Sequence, residues 1–215
     1  MSRFDWSKHI MSLEDYPPLK QQWESDLVDG IKSAIPKKPG MKVLEVGCSN
    51  GRWLRWFAKE YGCEAYGIDL NAAGFKRDLI NVRGDAIRLP YRDKSFDVVF
   101  SLGLIEHFPR HNRFSILKEQ ARLLSDGGYL ICNLPNLWLS IEYLWIKYFY
   151  DYKQGFKHYI VKRDELDKTF GSLGLKTEHF AYTGVFKEKG FIKRLKEIGL
   201  RRFFSSEMLY ICKKY

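Results

Sequence analysis

The stretch Val43-Leu44-Glu45-Val46-Gly47-Cys48-Ser49-Asn50-Gly51 restricts the fold more than any other part of the sequence. A short apolar run that closes on an acid and a glycine-punctuated turn, with a helix-like segment behind it, is the opening of a nucleotide-type α/β domain. The rest of the chain repeats that grammar. Strands are expected over Lys42 to Val46, Ala65 to Asp69, Asn81 to Arg83, Phe96 to Ser101, Tyr129 to Asn133, Leu175 to Tyr182 and Met208 to Cys212. Helices are expected over 13–35, Arg52 to Tyr61, Asn112 to Leu124, Lys162 to Leu173 and Lys187 to Leu200. Gly62 stops the second of these, and Gly127-Gly128 turns the chain into its fifth strand. The run Phe96 to Ser101 has no polar face, as in a parallel strand buried on both sides.

Strands alternating with helices at this spacing imply right-handed crossovers and an open sheet covered on both faces. The expected architecture is a Rossmann-like, doubly wound α/β sheet of seven strands, mostly parallel with an antiparallel last strand, plus an N-terminal helical cap. At 215 residues one domain is the default, spanning 1–215, with 1–40 as a helical extension. The four cysteines (Cys48, Cys63, Cys132, Cys212) include no CxxC pair, so neither a zinc site nor a disulfide framework is indicated. The opening residues lack the apolar core of a signal peptide, and the expected location is cytoplasmic.

Three chemistries compete for the first turn. A dinucleotide GxGxxG beginning at Gly47 needs glycine at 49 and 52, where the chain has Ser49 and Arg52. A GxSxG nucleophile elbow would make Ser49 the nucleophile, but the turn follows the first strand and the elbow belongs deep inside a hydrolase sheet. The third reading is carried by four elements in order. These are Glu45-x-Gly47-x-Ser49-x-Gly51, Asp69 at the next strand end, Gly84-Asp85-Ala86, and the segment Leu89-Pro90-Tyr91 with Ser95-Phe96-Asp97-Val98-Val99 and Leu104-Ile105-Glu106-His107. Together they resemble class I S-adenosylmethionine-dependent methyltransferases of type 11, the ubiquinone/menaquinone-type superfamily.

That resemblance implies a site. Gly47, Cys48, Ser49 and Gly51 would let the backbone pass close to the methionine part of S-adenosylmethionine, and Glu45 would order its ammonium. Asp69, followed by Leu70, would accept the ribose hydroxyls. Asp85 would accept the adenine amino group, and the N–H of Ala86 would donate to the ring. The backbone of Ser101 and Leu102 would border the methionine moiety. The product would be S-adenosylhomocysteine.

The acceptor is less constrained. The segment Ser101-Leu102-Gly103-Leu104 lacks the (D/N/S)PP(Y/F) tetrad of enzymes that methylate adenine or glutamine amines, and no cysteine follows a proline as carbon-5 cytosine chemistry would need. Some relatives carry ExxEH as metal ligands. Gly103 stands at the first position here, so no metal is expected. His107 is the candidate catalytic base or orienting group, its alternative being a helix-start hydrogen bonder.

Two further segments bear on the substrate. Aromatic-rich Leu137 to Tyr150 is either a substrate lid or a buried helix, and 136–160 and 184–205 are expected as substrate-cover insertions. The formal charge is +10, concentrated after Lys187. A basic amphipathic helix there would rest on an anionic membrane or pack on the sheet. The leading expectation is O- or C-methylation of a small-molecule or lipid-like acceptor by direct in-line transfer. The alternatives are an RNA or protein methyltransferase that uses the basic C-terminal region, and a noncatalytic cofactor-binding subunit that activates a partner.

Overall fold

Period-two burial builds the sheet. In the computed structural model, which describes residues 22–75, 79–136, 158–184 and 207–215, Val43, Val98, Phe100, Ile131, Leu209 and Ile211 belong to one buried cluster. Their neighbours Leu44, Val99, Leu130, Cys132, Tyr210 and Cys212 belong to another. Each strand therefore feeds two cores, one on each face, as side chains alternating across a pleat must.

The seven strands are β1 (Lys42–Val46), β2 (Glu64–Asp69), β3 (Ile80–Arg83), β4 (Phe96–Leu102), β5 (Leu124–Pro135), β6 (Leu175–Thr183) and β7 (Glu207–Lys214). Their spatial order is β3-β2-β1-β4-β5-β7-β6. The pairs among β1 to β5 are parallel. β7 runs antiparallel to both β5 and β6, between which it lies. The sheet expected from the sequence is thus the sheet observed.

Helices α1 (Gln22–Ala34) and α2 (Arg52–Tyr61) cover one face. Leu27, Ile31 and Ile35, four residues apart, are buried there together with Leu54 and Phe57. The Phe57 ring lies 4.9 Å from that of Phe100 on β4. Gly30 lets α1 approach the sheet closely, since a Cβ at that position would stand 2.9 Å from Leu209 Cδ2 and 3.1 Å from His179 Nε2. Helices α3 (Arg110–Leu123) and α4 (Arg163–Ser172) cover the other face through Ile116, Leu117, Leu166 and Phe170. Full burial of a side chain of this size stabilises by about 1.5–3 kcal/mol.

Part of the Leu89 to Tyr91 segment holds the fold. Arg122 on α3 donates to Tyr91 O (2.9 Å), Leu89 O (3.1 Å) and Asp93 Oδ1 (2.6 Å), while Glu119 accepts from the Leu89 N–H at 3.0 Å. The loop between β3 and β4 is therefore stapled to the helix that follows β4.

The structure moves one expected boundary. Leu124 closes no helix; it opens β5, and Gly127-Gly128 lies inside that strand. The cause is an irregular register, because Phe96 pairs with Leu124 but Val98 with Tyr129, so the segment around Gly127 (φ 76°) bulges out and rejoins the ladder. Residues 13–21 of the expected N-terminal helix, the aromatic stretch 137–150 and the basic helix 187–200 lie outside the described residues. No described helix is long and apolar enough to cross a membrane.

Candidate functional site

In the strand order, β1 has β2 on one side and β4 on the other, so the crossovers leave β1 in opposite directions. Ligands of open α/β sheets bind outside the carboxyl ends of the strands at that reversal. A cleft of about 310 Å³ opens there, walled by Glu45 of β1 and the turn that follows it (Gly47, Cys48, Ser49, Asn50), by Arg52 and Trp53 of α2, and by Leu102 at the end of β4 with Gly103 and Glu106 beyond it. Asn133 and Pro135 of β5 and Glu207 of β7 complete it.

The turn after β1 owes its shape to positive φ at Gly47 (79°), Ser49 (49°) and Gly51 (68°). Ser49 adopts the left-handed conformation that costs a non-glycine residue about 1–2 kcal/mol. Several bonds hold it there. Gly47 N and Cys48 N donate to Ile68 O (2.8 and 3.2 Å), Gly51 N donates to Cys48 O (2.8 Å), and Ser49 N donates to Asp69 Oδ2 (2.9 Å). Gly67 on β2 makes room for it, since a Cβ at that position would collide with Asn81 Oδ1 and with Cys48 Sγ.

Glu45 is 4% exposed and reaches under the first turn of α2, where the Leu54 backbone N–H bonds its carboxyl. Burial, and then the Asp69 carboxylate nearby, hold it well above the usual carboxylate range. Burial also pushes the Cys48 thiol up. Glu106 is 2% exposed, and burial drives its carboxyl to about 8, opposed by a backbone hydrogen bond and by Arg113. At the mouth, Arg52 of α2 pairs with the buried Glu24 of α1 at 2.7 Å.

The structure brings Glu45, Gly47, Cys48, Ser49 and Leu102 together on the cleft wall. Gly51 stands behind it as the residue preceding α2, packed toward Leu79. Asp69 lies beside the turn it anchors; its other oxygen accepts from Asn71 N at 2.9 Å, and its carbonyl accepts from Gly84 N at 2.9 Å. Asp85 and Ala86 are thereby drawn to the same edge, where Asp85 is exposed and accepts from Ile87 N at 3.1 Å; Leu70 is 41% exposed and its carbonyl accepts from Arg83 Nε at 3.1 Å. The Ser101 side chain is buried within the sheet and does not reach the cleft wall. His107 is also off that wall; its ring lies 4.6 Å from that of His158, and its Nε2 lies 3.9 Å from Glu106 Oε1.

Arg52, Trp53, Asn133, Pro135 and Glu207 line the cleft without having been expected there. Only the polar ends of the last strands hinted at Asn133 and Glu207, because their approach depends on β7 entering beside β5.

The donor set is lopsided. Glu45, Glu106 and Glu207 face Arg52 as the one cation among the described lining residues. Glu45 Oε2, Glu106 Oε2 and Asn133 Oδ1 are buried with no hydrogen-bond partner. Such a cleft suits a ligand with a positively charged, donor-bearing end, and the ammonium and sulfonium of S-adenosylmethionine fit that description.

Residues 44–132 match the family model of a methyltransferase domain. Over that stretch the chain is similar to methyltransferases of type 11. Over 101 residues the domain is 40% identical to "Phthiotriol/phenolphthiotriol dimycocerosates methyltransferase 1" of Mycobacterium ulcerans, a match covering 43% of this chain and 36% of that protein. Over 98 residues it is 35% identical to "Probable tRNA methyltransferase 9B" of Mus musculus, covering 44% of this chain and 22% of that one. The match thus spans about a third or less of these curated relatives. Among solved structures, a chain from the complex between the Haloferax volcanii Trm112 methyltransferase activator and a methyltransferase superposes with a TM-score of 0.68 at 18% identity, covering 99% of both chains. That likeness establishes the methyltransferase fold.

Proposed function

We propose that this chain binds S-adenosylmethionine in the cleft at the ends of β1 and β4 and transfers its methyl group to a small-molecule or lipid-like acceptor. The observation that carries this reading is the buried Glu45 carboxylate with an unpartnered oxygen, set beneath a turn of three positive-φ residues at the reversal of the sheet. When bound, the cofactor supplies a methyl group already activated by its sulfonium. Glu45 would hold the ammonium, Asp69 the ribose hydroxyls, Asp85 and Ala86 the adenine edge, and the backbone at Ser101 and Leu102 the methionine arm.

The chain's remaining task is alignment and the exclusion of water. Orientation alone supplies up to about 7–11 kcal/mol in intramolecular models. His107, off the wall but packed behind Glu106, is assigned a positioning role in this reading. The Mycobacterium ulcerans relative supports a lipid-like acceptor. A second reading, methylation of RNA, draws on the mouse relative and on the formal charge of +10. Activation by a partner chain is a third, favoured by the Haloferax volcanii complex.

Titration calorimetry with S-adenosylmethionine, S-adenosylhomocysteine and NAD tests the cofactor. Binding of the first two and not the third is expected, and preference for NAD would refute the reading. A labelled-methyl screen of lipid, metabolite and RNA fractions then separates the acceptors. Incorporation into RNA that weakens steeply with salt would replace the first reading with the second.

A further inference from the structure

The face of the sheet opposite α2 has an opening of its own. A groove of about 610 Å³ runs between α3 and α4, within the size range of small-ligand sites, and it shares no residue with the cleft after β1. Leu117 and Leu166 lie buried along it, while Phe114 beside them is 43% exposed.

The charge at its head is unusual for a helix start. The first turn of a helix carries unpaired N–H groups and partial positive charge, which a capping side chain or an acid ordinarily offsets. In α4, Asp164 and Glu165 occupy the first turn. In α3 the first turn holds no acid and no side chain caps it; it reads Arg110, His111, Asn112, Arg113. The Pro109 carbonyl accepts from Asn112 N and Arg113 N, both at 3.0 Å, and the N–H groups of Arg110 and His111 meet no acceptor among the described residues.

A second observation lies on the groove wall. Arg113 is 4% exposed; its Nη1 donates to Phe108 O and its Nη2 to Glu165 Oε1, each at 2.7 Å, but its Nε is buried with no acceptor. Glu165 also faces Arg110, whose Nε stands 4.0 Å from the same oxygen. With Lys168 on α4, three permanent cations share one carboxylate among the described lining residues.

An inorganic anion would answer the charge and leave Phe114 in water. A neutral apolar ligand would cover Phe114 and leave the donors unmet, and a cation would be repelled. A carboxylate supplies one charge and two oxygens, whereas a phosphate monoester supplies nearly two charges and three oxygens to this many donors.

We propose that the groove between α3 and α4 is a second ligand site that takes a small organic phosphate, its phosphate at the start of α3 beside Arg110 and Arg113 and its apolar part along Phe114 and Leu117. The site stands apart from cofactor binding and does not depend on it.

The test uses the full chain, isotope-labelled for NMR and without S-adenosylmethionine, so its failure leaves the cofactor reading untouched. Hexyl phosphate is the probe; hexanol and inorganic phosphate carry its two halves separately. Hexyl phosphate should bind at least about tenfold more tightly than either half, with shifts mapping to α3 and α4. Arg110→Gln combined with Lys168→Gln changes two exposed side chains and should cost at least about tenfold in affinity for hexyl phosphate. Phe114→Ser should weaken hexyl phosphate and leave inorganic phosphate unchanged. No binding, affinity equal to that of hexanol, shifts confined to the cleft after β1, or an unaltered double variant would overturn the proposal. So would sedimentation with phosphatidic acid vesicles by a chain that ignores hexyl phosphate, since that ligand would be a membrane surface. If a variant melts early, the wild-type affinities and shift map decide alone.

Discussion

The backbone N–H of Ser49 donates to Asp69 Oδ2 at 2.9 Å, so the carboxylate that ends β2 also holds the turn that ends β1. One residue thus shapes the cleft, and in the proposed reading its remaining lone pairs take the ribose hydroxyls. Asp69→Ala should lower S-adenosylhomocysteine affinity at least tenfold in calorimetry. It should also cost about 1–3 kcal/mol of stability, because the N–H groups of Ser49 and Asn71 both lose their acceptor. Asp69→Asn, which keeps one acceptor oxygen, should melt between the two. Unchanged affinity in Asp69→Ala would remove Asp69 from the site.

Ser49 sits at φ 49°. Ser49→Gly releases that strain and should raise the unfolding free energy by up to about 1 kcal/mol, offset in part by the greater freedom of glycine in the unfolded chain. Ser49→Val should lose about 2 kcal/mol, since a β-branched residue tolerates this region least. Urea denaturation of the two variants gives the order directly.

Gly67 has no room for a methyl group between Asn81, Cys48 and Leu54. Gly67→Ala should destabilise by about 1–3 kcal/mol as an overpacked core site. Because Cys48 belongs to the cleft wall, the same variant should bind S-adenosylhomocysteine more weakly than its loss of stability explains. Calorimetry well below the melting temperature separates the two effects.

Glu106 keeps its proton in the folded chain up to about pH 8, while in the unfolded chain it ionises near the ordinary carboxyl value of 4.5. Between those values the unfolded state holds fewer protons than the folded one, so this carboxyl's contribution is full below about 4.5 and is lost as pH rises through about 8. Arg113, His107 and Cys132 are the titratable or charged groups facing it. Glu106→Gln should flatten the fall in unfolding free energy across that window. Parallel wild-type and variant curves would rule out a raised Glu106.

The sheet was readable because each central strand is a short apolar run closed by a turn, and the run Phe96 to Ser101 shows by its lack of a polar face that it lies between two cores. The N-terminal half of the cleft was readable for a related reason, since Glu45 to Ser49 is one contiguous loop. Asn133 and Glu207 were not, because they are 74 residues apart and meet only through the pairing of β5 with β7. Glu106 could be seen in the sequence only as half of a metal motif. Its environment depends on Gly103 at φ 65° and on the tie between Gly103 and Asn133, neither of which local pattern encodes. The start of β5 was misjudged because a bulge at Gly127 leaves an apolar residue, Leu124, in register with a strand while it still reads as the end of a helix.

β7 is last in sequence but interior in space, and its first residue supplies a wall of the cleft. During synthesis β1 to β5 emerge long before the strand that separates β5 from β6, and until it inserts those two neighbours cannot take their final places. The cleft is therefore complete only when β7 is in place. A chain stopped short of Glu207 would keep the turn after β1 and yet lack one wall of the cleft.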